Sequence, residues 1–386
     1  MYEIKTMNNI AQAGLNELSA KGIMVNVDAE NPDALLIRSA KIHDMEFGDR
    51  LLAVGRAGVG YDNVPVDRCT EAGVAVFNAA GANAQAVVEL AVCSLVLASR
   101  NIMDGAFWAR SLAGRENIAA EIEAGKKNYV GPEIMGKTLG IIGLGNIGSR
   151  IANVALDLGM NVIGYDPYMS VESAWRISGD VQHAQDQGTV YRNSDYILIQ
   201  LHLTDKTRHM LGAEAFSQMR NGVRIINLAR GGLVDTDAIL AAIASGKVAR
   251  YVTDFPDEKL IGAKGVVAFP HLGASTPESE EKCAIMAARE LAEYLLDGNT
   301  KNAINLPDVN LDRAGEGRLC VIHENVPRMI NGFLDIIGEA DMNVEHMINK
   351  AKGDVAYTII DVDSPVTPEM ADKIRAMEHV RRVRVL

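Results

Sequence analysis

The chain of 386 residues has only four cysteines, Cys69, Cys93, Cys283 and Cys320, with no C-x-x-C pair and no regular spacing. That excludes a disulfide framework and a zinc ribbon, and points to thiols kept reduced in the cytoplasm, with no metal site. There is no basic excess either: the formal net charge is -12. A nucleic-acid or anionic-membrane partner would need a clustered basic surface, so neither is expected, and any anionic substrate must be caught by local cations. Long hydrophobic runs are missing. The longest clean one, "LAVCSLVLA" from Leu90, is far too short to cross a bilayer, and the opening "MYEIKTMNNIAQAG" lacks a signal-peptide pattern. Internal repeats and low-complexity tracts are also absent.

What is present is an ordinary globular composition, 48% apolar and 23% charged, in a chain long enough for two or three domains. Short apolar runs alternate with polar helical stretches: "YEIKTM", "IMVNVD", "ALLIRSA", "RLLAVGRAG" and "GVAVFNAAG". This alternation predicts a parallel α/β sheet. A long apolar helix follows over about 84–100, and a second series of strand-like runs extends to "GVVAFPHLGAS". After a last helix, "SEEKCAIMAARELAEYLLDG", a polar stretch with Pro307, Gly315 and Gly317 reads as a linker. Beyond it, "RLCVIHEN", "VPRMINGFLDIIGEA", "MNVEHMINKA", the alternating "VAYTIIDVD", "TPEMADKIRAMEHV" and "RRVRVL" give βαββαβ, the ferredoxin-like order.

The second α/β series opens on G-x-G-x-x-G. Gly143, Gly145 and Gly148 directly follow the strand "TLGII" and begin a helix, the context that makes this motif a dinucleotide grip. Gly143 permits the tight turn, Gly145 lets the backbone approach a pyrophosphate, and Gly148 lets helix and strand pack closely. The next strand ends in Asp166, 18 residues after Gly148, placed to accept hydrogen bonds from the adenosine ribose. No arginine follows Asp166 immediately and its charge repels a 2'-phosphate, so NAD is preferred over NADP. Further polar residues stand at strand ends of the same series: Arg230 after "RIINLA", Asp254 and Glu258 after "RYVT", and His271 after "VVAFP". Residues beyond the carboxyl ends of parallel strands can meet beside a bound ligand, and this set suffices chemically for hydride transfer. His202 and His209 lack such support and are read as structural or surface residues.

The segments "LLIRSA", "VGRAGVGYDN", "GKTLGIIGLGNIG", "INLARGGLVD", "VTDF" and "PHLGAST", in that order across nearly the whole chain, resemble the D-2-hydroxyacid dehydrogenase family, and within it the members acting on 3-phospho-D-glycerate. The resemblance implies two doubly wound, Rossmann-like α/β domains, the first discontinuous: 1–84 with 272–303 for substrate, 85–271 for NAD, then a linker 304–316 and a regulatory domain 317–386. It implies His271 as general acid and base, Glu258 as its carboxylate partner and Arg230 as the holder of the substrate carboxylate. Relatives usually have one more residue before the glutamate than "DFPDE" provides, which leaves Asp257 as the competitor of Glu258.

Cofactor contacts implied by the resemblance are Gly143, Gly145, Asn146, Ile147, Gly148, Asp166, Ala229, Asp254 and Gly273. For substrate they are Arg38, Ser39, Arg56, Gly58, Val59, Gly60 and Asn83, with Asn78 also facing the site. Two arginines besides Arg230 suit a substrate bearing both carboxylate and phosphate, such as 3-phosphoglycerate. Where relatives carry a further arginine, this chain offers Lys126 and Lys127.

The tail resembles an ACT domain, implying L-serine as an effector held by His323, Asn325 and Asn343, against a purely structural role in oligomer formation. Arg328 stands where such domains commonly have glycine. A homodimer or homotetramer is expected. The runner-up activity is hydroxypyruvate or glyoxylate reduction; from another class comes a non-catalytic NAD sensor.

Overall fold

The opening apolar runs form a parallel sheet covered by the helical stretches between them. In chain order these are β1 (Glu3–Met7), α1 (Gln12–Ala20), β2 (Met24–Val25), β3 (Ala34–Ile37), β4 (Ala53–Arg56), α2 (Val66–Glu71) and β5 (Ala75–Asn78), with sheet order β2-β1-β3-β4-β5. Every residue of β3 and β5 is buried, as expected of parallel strands covered on both faces. The computed structural model describes all of residues 1–386 and divides them into two units: Met1–Asn83 with Thr276–Leu386, and Ala84–Ser275. These divisions fall within four residues of the expected 84 and 271.

The second unit begins with three helices, α3 (Ala84–Ser99), α4 (Ile102–Ser111) and α5 (Ile118–Gly125). Then come β6 (Thr138–Ile142), α6 (Asn146–Asp157), β7 (Asn161–Tyr165), α7 (Val171–Arg176), β8 (Gln182–His183), α8 (Gln187–Asn193) and β9 (Tyr196–Ile199). The unit ends with α9 (Ala213–Gln218), β10 (Val223–Asn227), α10 (Thr236–Ala244), β11 (Val248–Thr253) and β12 (Val266–Ala268). Its seven strands run β12-β11-β10-β9-β6-β7-β8, all parallel. Strand order reverses between β6 and β9, and ligands of such sheets bind at that switch point, beyond the strands' carboxyl ends.

The chain returns to the first unit through α11 (Pro277–Asp297), a 21-residue helix with clear stop signals. The Thr276 hydroxyl accepts from the Ser279 N–H at 3.1 Å, Pro277 takes the first position, and Gly298 ends the helix at φ 78°. Leu291, Leu295 and Tyr294 of this helix pack with Ile4, Leu36 and Phe77 in one core.

The tail supplies β13 (Gly317–Glu324), α12 (Met329–Glu339), β14 (Val344–Lys352), β15 (Val355–Val362), α13 (Pro368–Arg375) and β16 (Val380–Val385). These form an antiparallel sheet β14-β15-β13-β16 with both helices on one face. The alternating pattern of β15 suits a strand with one buried face, but all eight of its residues are buried. The reason is that the opposite face is covered too. Cys320, Ile322, Tyr357 and Ile359 belong to the same core as Tyr294, Leu295 and Phe77.

Segment 304–316 is correspondingly no free tether. Leu306 and Val309 are buried, and the Asn305 side chain accepts from Val76 N–H and donates to the Val74 carbonyl. Two tail arginines finish the clamp on α11. Arg384 donates to the carbonyls of Tyr294 and Leu295, while Arg318 donates to that of Asp297 and pairs at 2.6 Å with Asp361, both side chains being fully buried. Cations at the carboxyl end of a helix satisfy its orphan carbonyls and oppose its dipole.

Candidate active site

In the second unit the three motif glycines meet three different constraints. A Cβ at Gly143, whose φ is 96°, would lie 2.2 Å from the Gln200 carbonyl oxygen, and one at Gly148 would lie 2.0 Å from that of Gly143. One at Gly145 would meet nothing within 4 Å. Open space at the middle glycine is what a close-approaching pyrophosphate needs. α6 starts there with no side-chain cap and no acidic residue in its first turn, so the amino end of the helix is available to an anion. Asp166, just past β7, accepts from Leu144 N–H at 2.8 Å and Tyr168 N–H at 2.9 Å. Each carboxylate oxygen has a second acceptor position for a ribose diol.

The chemical residues gather around a ring that sequence reasoning overlooked. Phe255 lies with its ring centroid 4.4 Å from that of His271, and the Arg230 guanidinium sits 6.0 Å above the same ring. Arg230 is aimed by a second overlooked residue, the fully buried Asn227 at the end of β10. Its amide donates to the Arg230 carbonyl at 2.9 Å and accepts from the N–H of Ala229 and of Arg230. A buried asparagine three residues before an arginine is a local signal; the ring's position is not.

Asp254 is 1% exposed, and burial raises its carboxyl pKa above the ordinary value, opposed by nearby His271. One of its oxygens accepts from Gly273 N–H at 3.3 Å, while Oδ1 is buried without a partner. That orphan acceptor suits the carboxamide of a nicotinamide ring. The residues present therefore fit a dinucleotide at both ends. The Glu258 side chain, by contrast, is exposed and has no hydrogen bond or ion pair, so it does not engage His271 here. Asp257 is committed elsewhere: it accepts from the Thr236 hydroxyl and from the N–H groups of Lys259 and Leu260. Of the two candidates, Glu258 alone is unengaged. Lys126 is paired with Glu123, and neither it nor Lys127 is buried.

In the first unit, Arg38 and Arg56 stand at the ends of neighbouring strands β3 and β4, and Arg56 Nε donates to the Arg38 carbonyl at 3.1 Å. The Arg56 guanidinium covers Gly58, where a Cβ would lie 2.1 Å from Nη1. Asn78 donates to the Val59 carbonyl, fixing the loop that carries Val59 and Gly60, and Asn8 accepts from the N–H groups of Ser39 and Ala40. Asn83 Oδ1 is buried without a partner. A cavity of about 380 Å³ lies beside Arg38, lined also by Gln12, Ala57, Pro277, Glu280 and Glu281. Within it Arg38 is paired with Glu280.

The three residues expected to hold an effector do not meet within one chain. His323 is 2% exposed, with Nε2 bonded to the Thr358 hydroxyl and Nδ1 to the Glu324 carbonyl, its ring edge-on to Phe333. Burial lowers its pKa from the ordinary histidine value. Asn325 adjoins Asp354 and Asn343 adjoins Asp363, at opposite ends of β15, roughly 30 Å apart at the rise of a strand.

Comparison with known proteins places this arrangement. Residues 97–273 match the family model of the D-isomer specific 2-hydroxyacid dehydrogenase, NAD binding domain. Hydroxypyruvate reductase of Thermotoga maritima is 36% identical over 275 residues, covering 68% of this chain and 85% of that protein. The chain belongs to the D-isomer specific 2-hydroxyacid dehydrogenases. D-3-phosphoglycerate dehydrogenase of Methanocaldococcus jannaschii is 33% identical over 299 residues, 74% of this chain and 54% of the relative. The chain thus spans about half the length of such curated relatives. A solved structure of NAD+-bound 3-phosphoglycerate dehydrogenase from Entamoeba histolytica shares the fold with a TM-score of 0.63 at 22% identity, covering 79% of this chain and 98% of that one. The second unit of the chain is accordingly an NAD-binding domain, and no single helix is long and apolar enough to cross a membrane.

Proposed function

We propose that this protein is an NAD-dependent D-3-phosphoglycerate dehydrogenase that oxidises 3-phospho-D-glycerate to 3-phosphohydroxypyruvate, the first step toward L-serine. The observation that carries the reading is the grouping of Arg230 and His271 on one ring, Phe255, together with D-3-phosphoglycerate dehydrogenases among the relatives at 30–37% identity. NAD, when bound, accepts the hydride from C2. His271 takes the C2 hydroxyl proton and returns it in the reverse direction, a role suited to imidazole near neutral pH. Arg230 holds the substrate carboxylate and polarises the C2 oxygen with a charge that does not titrate. Glu258 partners His271 once the site is filled. Arg38 and Arg56 bind the anionic end of the substrate, and Gly58, Val59 and Gly60 offer N–H groups to it.

A second reading, hydroxypyruvate or glyoxylate reduction, is favoured by one observation: Arg38 is already neutralised by Glu280. A non-catalytic sensor has no need of the Arg230–Phe255–His271 grouping. The protein works as a homodimer or homotetramer in the cytoplasm; α4 and α5 bury none of their residues in the single chain, with Phe107 61% exposed. L-Serine control requires two copies, because Asn325 and Asn343 lie at opposite ends of β15 within one chain.

The test is nicotinamide absorbance with NADH and 3-phosphohydroxypyruvate, beside hydroxypyruvate, glyoxylate and 2-oxoglutarate, each with and without L-serine. Preference for the phosphorylated substrate supports the reading. Equal or faster turnover of hydroxypyruvate or glyoxylate replaces it with the second, and no turnover of any substrate revives the sensor.

A further inference from the structure

Two arginines near the glycine-rich turn were not foreseen. Arg150, one helical turn into α6, donates through Nε to Asn146 Oδ1 at 3.2 Å, and Arg176, the last residue of α7, donates through Nη1 to the same oxygen at 2.7 Å. Asn146 is the first residue of α6, directly after the open Gly145. The position of Arg176 is built rather than incidental. Asn153, one further turn along α6, donates to the Arg176 carbonyl and accepts from Ser178 N–H, both at 2.9 Å. Asn146, Arg150 and Asn153 follow i, i+4, i+7 spacing and so form a single stripe on α6, and this stripe holds the end of α7 in place.

Electrostatically the arrangement is unfavourable by itself. Two guanidinium groups share one neutral amide oxygen at the amino end of a helix, the end at which the backbone dipole repels cations. Neither arginine forms an ion pair with any carboxylate of the chain. The nearby acid, Asp166, is turned to the N–H groups of Leu144 and Tyr168. An anion placed over Gly145 removes this imbalance, and the ligand of an NAD-binding domain carries a pyrophosphate.

We infer that Arg150 and Arg176 are pyrophosphate-binding residues of this enzyme, held ready by Asn146, so that α7 supplies to the cofactor a cation that the glycine motif itself lacks. Planar guanidinium forks suit phosphate oxygens better than a point charge does. The 2'-phosphate of NADP is the other phosphate near this turn; Asp166 opposes it, and the inference commits to the pyrophosphate.

The test is calorimetric binding of NADH, NADPH and ADP-ribose to the full chain and to Arg150→Gln, Arg176→Gln and Arg176→Lys. Losing a charge-assisted phosphate contact weakens binding on the order of tenfold. The expected result is such a loss for both NADH and ADP-ribose in each Gln variant, a shallower dependence on salt, and partial recovery in Arg176→Lys at an unchanged melting temperature. ADP-ribose affinity unaltered in both Gln variants overturns the inference, as does a loss confined to NADPH. Should the unaltered chain fail to bind NADH, it is the cofactor reading itself that falls, a result distinct from either of these.

Discussion

The carboxylate of Glu280, on the first turn of α11, is paired with the guanidinium of Arg38 at the end of β3, inside the cavity of the first unit. The pair is some 40% exposed on each side, so solvent screens it and it is worth less than about 1 kcal/mol. An anionic substrate displaces Glu280 at that cost. Glu280→Gln therefore lowers KM for the phosphorylated substrate by about twofold to fivefold with kcat little changed. Steady-state kinetics with 3-phosphohydroxypyruvate check this; an unchanged or raised KM sinks the competition.

His271→Asn should remove the proposed proton carrier without disturbing the fold, because the side chain is exposed. Turnover falls by about 10²–10⁴-fold, while NADH affinity, set by groups around Gly145 and Asp166, stays the same. Fluorescence titration beside the kinetic assay separates the two. Retained turnover would remove His271 from the mechanism.

Glu290 of α11 is 6% exposed; Asn302 donates to one of its oxygens and the other is buried without a partner. Burial pushes its carboxyl up to about 8, opposed first by the Asn302 hydrogen bond, with the Glu293 charge adding to the rise and Lys301 opposing it. The folded chain thus holds this proton more tightly than the unfolded chain, whose carboxyl titrates near 4.5. Stability from this group is complete below about pH 4.5 and declines as pH rises to about 8. Glu290→Gln keeps the bond from Asn302 and loses the titration, so it stabilises the protein at pH 8 by an amount on the order of a few kcal/mol. Urea unfolding at pH 5 and pH 8 measures it: the gain over the parent must grow with pH.

Two left-handed positions near the tail respond oppositely to substitution. Arg328 heads α12 at φ 73°, where a residue other than glycine costs about 1–2 kcal/mol. Arg328→Gly then gains roughly 1 kcal/mol, after allowing for the greater freedom glycine has when unfolded. Gly298 sits at φ 78°, and a Cβ there would lie 2.4 Å from Cys320 Sγ. Gly298→Ala costs about 2 kcal/mol or more. Opposite shifts in urea midpoint at constant slope are the expected readout.

Much of the second unit was legible because its constraints are local. Gly143, Gly145 and Gly148 announce a turn, an approach and a packing contact within six residues; close neighbours leave no room for a Cβ at Gly143 or Gly148, and the space at Gly145 is open. Phe255 was not legible: its role exists only because β10, β11 and the segment after β12 end side by side. The burial of His323 in "VIHEN" was not legible either, since its neighbours Thr358 and Phe333 come from other elements. Pro307, Gly315 and Gly317 gave 304–316 the look of a linker, and the reason it is not one, the docking of Asn305 on β5, lies more than two hundred residues away in sequence. Nothing near Arg318 or Arg384 in the sequence shows that both end up inside the protein at the end of α11.

The double burial of the tail sheet bears on how such a protein can change by descent. A chain ending at Gly298 would bare Tyr294, Leu295 and the Phe77 ring tilted against Tyr294, and would leave the last carbonyls of α11 without their arginines. The tail is therefore not a cassette to be gained or shed by moving a gene segment. A lineage that discards it must redesign one face of α11 at the same time, and one that acquires it must already carry an apolar face there to receive it.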